Sequence, residues 1–327
     1  MRETFSSAKP MLALLIVCCT QFGIMEAHAE ATWTPARPVT LIVPYSVGGG
    51  IDATARAAAK QLSVIWGQPV LIENLPGADG IIGARRVIAS KQDGYTLLVQ
   101  VPALLLSKYT PGFSGPDPVA QLEPISIISK SSNALTINGK IAATTLTEFI
   151  QHCKTSTTPC SFATGDTTGK FFLQKFVVEA GIPNAIMVNY KGGGALISDL
   201  MTNVVNMGFT GLYSTLPQQK VGAVKILVTT GKKRAPSAPE IPTAVESGLT
   251  DFISENWVSL FAPKGTPDNI VQSVAEAVRE AVKDPETANA LLGMSAEPIG
   301  STPAAFTMEL RDEEQRTAVM AKKYPLK

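Results

Sequence analysis

The run Val39-Thr40-Leu41-Ile42-Val43-Pro44-Tyr45-Ser46-Val47-Gly48-Gly49-Gly50-Ile51-Asp52 decides the fold. Its first five residues are a continuous apolar, β-branched stretch, the pattern of a strand buried on both faces. Three glycines then let the chain turn tightly, and Ile51 to Trp66 is helical, with Ala55, Ala58, Leu62 and Ile65 on one face. Gly67 and Pro69 stop that helix, and Val70-Leu71-Ile72-Glu73 is the next strand. A strand, a glycine turn, a helix and a second strand make an α/β unit.

The same alternation continues outward. Ile81 to Ser90 reads as a helix, Tyr95 to Val101 as a strand, Leu104 to Leu122 as irregular chain, and Ile125 to Ile128 as a strand. Thr145-Leu146-Thr147-Glu148 is a capping box that opens a helix running to Cys153. Strands are expected at Ser161–Thr164, Ala185–Tyr190, Lys225–Thr229 and Trp257–Phe261. Helices are expected at Gly169–Ala180, closed by Gly181, and at Ala195–Thr202. Two more should start at Thr266-Pro267-Asp268, running to Asp284, and at Thr302-Pro303, running through Lys323.

A second glycine turn, Asn189-Tyr190-Lys191-Gly192-Gly193-Gly194-Ala195, repeats the strand-to-helix plan of the first. A helix N-terminus presents unpaired N–H groups and the positive end of the helix dipole, and glycines let a ligand reach that backbone. Two such turns form a clamp for a molecule with an anion at each end; as plain turns they would do nothing more than reverse the chain. Gly48-x-Gly50-x-x-Ala53, with Glu73 at the end of the next strand, also imitates a dinucleotide fingerprint. That reading fails because Pro44 to Val47 separate the strand from the glycines, where the fingerprint turns at once.

Composition limits the alternatives. The chain has 327 residues, 45% hydrophobic and 17% charged, which suits two domains and excludes disorder. Its 28 basic and 27 acidic residues give no excess for nucleic acid. Arg2 and Lys9 precede an apolar stretch from Met11 to Ile24, and Ala27-His28-Ala29 is a small-x-small cleavage pattern. Residues 1–29 therefore read as a signal peptide, too short in its apolar part for a spanning helix of ~20 residues. Lipidation at Cys18 or Cys19 is a lesser alternative, since Leu15-Ile16-Val17 fits it poorly. Beyond the leader remain Cys153, Cys160 and His152. In an oxidising compartment the two cysteines read as a local disulfide; a metal site with His152 is the rival, short of a fourth ligand. No Gly-x-Ser-x-Gly elbow is present and His152 is the only histidine left, which counts against a secreted Ser-His-Asp hydrolase and leaves a Ser-Lys or paired-carboxylate enzyme acting on a carboxylate-bearing substrate as the alternative.

Several motifs carry a specific resemblance. They are Arg37-Pro38-Val39 through Pro44-Tyr45-x-x-Gly48-Gly49-x-x-Asp52-x-x-Ala55-Arg56, Gly67-Gln68-Pro69-Val70, Glu73-Asn74-x-Pro76-Gly77-Ala78-x-Gly80 and Asp93-Gly94-Tyr95-Thr96-Leu97-Leu98. Tyr190-Lys191-Gly192-Gly193 with Asp199-Leu200, Pro239-x-Ile241-Pro242-Thr243-x-x-Glu246-x-Gly248 and Ala262-Pro263-x-Gly265-Thr266-Pro267 follow in register. With these the chain resembles the Bug-type extracytoplasmic solute receptors of tripartite tricarboxylate transporters.

The resemblance implies an α/β, two-lobed periplasmic binding protein of type II-like plan, each lobe a mixed sheet flanked by helices, with the ligand cleft between lobes. It places lobe 1 at 30–131 plus 253–327 and lobe 2 at 132–252. It implies a small carboxylate ligand, a di- or tricarboxylate with aromatic ones included, membrane transporter subunits as partners, a monomer, and no cofactor, metal or nucleic acid; a sensing role beside a membrane kinase would use the same cleft. Carried over by motif, ligand contacts fall on Tyr45, Ser46, Gly48, Gly49, Gly50 and Asp52, on Pro76, Gly77 and Ala78, on Thr164, Gly165 and Thr168, and on Tyr190, Lys191, Gly192, Gly193, Gly194 and Ala195. Asp52 reads equally as a first-turn acid favoured by the helix dipole. Asp166 departs from the family's Ser-x-Gly-x-Gly-Ser pattern and brings a negative charge.

Overall fold

The computed structural model describes residues 1, 3, 32–110, 112–190 and 193–325. The expected signal peptide, residues 1–29, lies outside them apart from Met1 and Glu3. In chain order the elements are β1 (Val39–Val43), α1 (Gly50–Trp66), β2 (Val70–Asn74), α2 (Ile81–Ile88), β3 (Thr96–Gln100), α3 (Ala103–Leu106) and β4 (Leu122–Asn138). There follow α4 (Leu146–Thr155), β5 (Ser161–Thr164), α5 (Thr167–Ala180), β6 (Ile186–Asn189), α6 (Gly193–Met201), β7 (Met207–Gly211), α7 (Leu212–Lys220) and β8 (Val224–Thr229). The chain closes with β9 (Glu255–Pro263), α8 (Asp268–Ala281), α9 (Pro285–Gly293), β10 (Glu297–Pro298) and α10 (Pro303–Lys323).

The mixed α/β plan holds, with one strand shared by both halves. The first half of the sheet runs β2-β1-β3 in parallel, then β9 antiparallel, then β4. In the second half β4 lies between β7 and β8, and β7 continues in parallel to β5 and β6. β4 changes partners within one step: Ser132 pairs with Glu255 of β9 and Asn133 with Gly211 of β7. The chain returns beside this point. Asn133 Nδ2 donates to Ser254 Oγ at 3.1 Å, Thr230 N–H to Asn133 O at 2.9 Å, and Ser254 N–H to Thr230 O at 2.8 Å. These polar groups are buried, so their pairing is what makes two crossings at one place tolerable.

Each half has its own core. Leu41, Ala55, Ala58 and Leu62 of the opening strand and helix pack with Val274 and Val278 of α8. Phe149, Phe162, Phe176, Phe209 and Phe252 fill the second. α10 spans both: Phe306 and Leu310 join the first half, whereas Ala321 meets Phe171 of α5. The capping box forms as read, with Thr145 accepting from Glu148 N–H, and Gly181 ends α5 at φ 61°.

Several elements differ from the expectation. β4 is 17 residues long because Ser129 to Asn133, polar by sequence, cross between the halves instead of ending a strand. β7 and α7 were not expected: two glycines thin the strand signal, and Pro217 sits inside the helix. Leu104, Leu105 and Leu106 lie in α3 and are buried, in a stretch expected to be irregular. α5 starts two residues earlier, at Thr167, with Asp166 as its cap, and α9 is a separate helix capped by Asp284.

Cys153 and Cys160 are bonded, with Cα atoms 5.6 Å apart. The bond removes the thiolates that the rival metal site needed. Both residues are buried against the phenylalanine core, so the bridge holds the end of α4 to the start of β5. Because the cysteines are only seven positions apart, the ring constrains little unfolded chain, and reduction should cost about 2–3 kcal/mol at most. Melting with and without reductant should differ by a few degrees, and mass spectrometry of unreduced protein should show one internal link; two free thiols would contradict it.

Candidate functional site

The first glycine turn opens into a cleft of about 290 Å³ between the two halves of the sheet. Tyr45, Ser46, Gly49 and Gly50 line it from the first half, and Asp166 and Tyr213 from the second. Ser129, Ser131, Asn256 and Val258 of the crossing strands form its floor. That volume suits a small metabolite.

α1 begins at Gly50 with no side-chain cap, so its first N–H groups have neither intrahelical partners nor a hydroxyl or carboxylate folded over them. Gly48, at φ 82°, makes the turn that aims them into the cleft. Added atoms at Gly50 would meet only the Tyr213 ring, at 3.8 Å. The arrangement is a helix end left open for an anion.

Asp52 holds this turn in place. Its Oδ2 accepts from Gly48 N–H and from Arg56 Nε, both at 2.9 Å, and its Oδ1 accepts from Asn74 Nδ2 at 2.9 Å. Asn74 also donates to Tyr45 O at 3.1 Å. The Arg56 hydrogen bond, aided by those from Gly48 and Asn74, holds the Asp52 carboxyl down at about 2 against the cost of burial. Both oxygens are engaged by the chain itself. Protonation should therefore remove stability as pH falls from about 4 towards 2, by ~1–2 kcal/mol once the half-exposed Arg56 is discounted. Asp52→Asn should flatten that acid limb in a pH series of melting curves; an unchanged limb would remove Asp52 from the account.

Tyr45 O–H donates to Gln100 Oε1 at 2.7 Å. Burial, together with the Asp79 and Asp166 charges, raises its pKa, so the phenol stays neutral. Asp166 caps α5: its Oδ1 accepts from Gly169 N–H at 2.6 Å. The residue keeps solvent contact in the cleft, while the protein crowding its carboxylate and the nearby Asp79 raise its pKa despite that backbone bond. Tyr213 is likewise raised by burial and by Asp166. Thr167 Oγ1 donates to Asp79 Oδ2 at 2.8 Å, tying the loop before α2 to the start of α5. Asp79 and Ala78 both have positive φ, near 50°, so this loop is held in a backbone conformation that favours glycine.

The remaining sequence-expected residues are distributed as follows. Ala78 lines an adjacent 390 Å³ pocket with Asp79, Thr167 and Lys170, whereas Pro76 and Gly77 form the loop behind it. Thr164 is buried under α5, next to Gly165. Thr168 faces a 530 Å³ groove between α5 and α10. That groove is larger than the cleft, but the open helix end does not reach it. Tyr190 O–H donates to Asp199 Oδ2 at 2.5 Å and so turns onto its own helix. Gly193, Gly194 and Ala195 start α6 beside Thr210; Lys191 and Gly192 lie outside the described residues. Ser129, Ser131, Asn256 and Tyr213 were not anticipated. The run of serines in β4, polar where a strand core should be apolar, was the available signal.

Residues 54–326 match the family model TctC, described as the tripartite tricarboxylate transporter family receptor. The chain belongs to that receptor family. Its similarity to BugT of Bordetella pertussis is 30% identity over 313 residues, covering 94% of this chain and 95% of the relative. Among solved structures, the periplasmic binding protein BugD matches with a TM-score of 0.75 and 26% identity, over 89% of this chain and 98% of that one. MatC from Rhodopseudomonas palustris, with bound malate, matches with a TM-score of 0.74 and 26% identity over 88% and 99%. An R. palustris protein with adipate matches with a TM-score of 0.77 and 27% identity over 88% and 97%. The receptor family gives the two-lobed fold its meaning: a solute receptor of the tripartite tricarboxylate transporter type.

Proposed function

We propose that this receptor is exported by residues 1–29, cleaved before Glu30, and delivers a small carboxylate to the membrane subunits of a tripartite transporter as a monomer. The single observation that carries the cleft as its ligand site is the uncapped, glycine-rich start of α1. A ligand carboxylate rests on the open N–H groups at the start of α1, from Gly50 onward, with Ser46 beside it. Lobe 1 is 30–131 plus 253–327 and lobe 2 is 132–252, with the polar cluster of Asn133, Thr230 and Ser254 at the hinge. Contacts from lobe 2 come from Asp166 and Tyr213, which line the cleft, and, on closure, from the turn that opens α6. Backbone N–H groups hold an anion without a rigid salt bridge, so closure retains it and opening releases it.

The test is a thermal-shift and calorimetry screen of the chain without residues 1–29 against tricarboxylates, C4 to C6 dicarboxylates and amino acids. A ligand at 100 times its Kd adds ~2.7 kcal/mol to stability. No response across the panel would sink the reading. Solution scattering of the same samples should show a smaller radius of gyration with ligand; an unchanged radius in a sample that binds would mean a rigid cleft.

A further inference from the structure

We infer that the ligand of this receptor carries a cationic nitrogen as well as its carboxylate, with Asp166 as the counter-charge between Tyr45 and Tyr213. The inference rests on the cleft being the ligand site, as proposed above.

Among the described residues, Asp166 is the one charged side chain that lines the cleft, and no lysine or arginine does. A dicarboxylate with one end on α1 would bring its other end toward a like charge. The start of α5, where a second anion would otherwise sit, is already filled by the Asp166 carboxylate on Gly169 N–H. The second half of the molecule therefore presents an acceptor at this place, where a second open helix end would present donors. Asp79 adds a second negative charge nearby, and among the described residues neither aspartate is in an ion pair within 4 Å. Lys170 offsets part of that field, but it lines the neighbouring pocket with Asp79. Two tyrosines flank Asp166, and aromatic rings beside a carboxylate favour an ammonium.

An independent observation points to a polar occupant at this wall. Ser129 is 1% exposed, lines the cleft, and its Oγ has no hydrogen-bond partner. A buried hydroxyl without a partner is uncommon and marks a place that a ligand or its water completes. An ammonium has three donors and no acceptor, so it can pair with the Asp166 carboxylate and the Ser129 oxygen together; a carboxylate bound over Asp166 would face a like charge there.

Calorimetry on pairs that differ by one amine tests this: succinate and L-aspartate, glutarate and L-glutamate, butyrate and 4-aminobutyrate. The amine-bearing member of at least one pair should bind about 10- to 100-fold more tightly, as a hydrogen bond to a charged group implies. Asp166→Asn should erase that preference, the amine-bearing member falling to the affinity of its plain partner. Asparagine caps a helix as well as aspartate does, so α5 should stay folded, and the wild-type pairs decide the matter without the variant. Carboxylates that bind equally well with and without the amine would overturn this inference alone. Failure of every carboxylate would overturn the ligand site as well.

Discussion

Gly50→Phe should abolish ligand binding while leaving the fold intact. The Cβ position at Gly50 is free of backbone, with Tyr213 Cζ at 3.8 Å the nearest atom, so a side chain can start there without strain. From the first helical position a phenyl group projects into a 290 Å³ cleft and covers the open N–H groups of α1. Each donor denied its partner costs ~1–3 kcal/mol, and with the lost volume the affinity should fall roughly 100-fold or more. The melting temperature should hold or rise slightly, because glycine is a poor helix residue. Binding within threefold of the parent would mean that the ligand does not use this helix end. Gly169 gives the contrast: a Cβ there would sit 1.8 Å from Thr164 Oγ1, so Gly169→Ala should disturb α5 itself. One glycine leaves room for ligand and the other leaves room for the protein.

The second large effect concerns stability. Trp257 Nε1–H donates to Glu313 Oε2 at 2.6 Å, beneath α10. Burial pushes the Glu313 carboxyl up to about 7, with Glu309 and Glu255 adding to the rise and Trp257 and Arg316 opposing it. An acid whose folded pKa lies above its unfolded value binds more protons when folded. The chain should therefore be most favoured, as far as this group decides, below pH 4.5, and should lose stability as pH rises through about 7. The full loss corresponds to ~3 kcal/mol. Glu313→Gln keeps an oxygen for Trp257 and carries no charge, so above pH 7 it should stabilise by about 2–3 kcal/mol. Melting curves of parent and variant from pH 4 to 8.5 should converge in acid and separate in base; parallel curves would show that Glu313 ionises freely.

Much of this was legible in the sequence. β1, the glycine turn and α1 appear where a buried apolar run, three glycines and an amphipathic period place them. The capping box at Thr145 and the cysteine pair at 153 and 160 carry their geometry in local spacing, and both formed. The motifs from Arg37 to Pro267 announced the receptor family that the comparisons then established. Local rules failed where partners are distant. Ser129 to Asn133 lack strand character, yet they pair with β9 and β7, more than 70 residues away. Met207–Gly211 is a strand because β4 and β5 lie on either side of it.

The sequence by itself determined the α/β alternation, the helix ends and the family, because each depends on neighbours within a few residues or on a motif in register. Only the tertiary structure decided which groups share the cleft. It brought Gly50 against Tyr213, turned Asp52 away to fasten its own loop, and set Asp166 across from Tyr45. It also left Ser129 buried without a partner. Whether a polar residue meets ligand or backbone depends on where strands far apart in the chain cross, and no local pattern encodes that crossing.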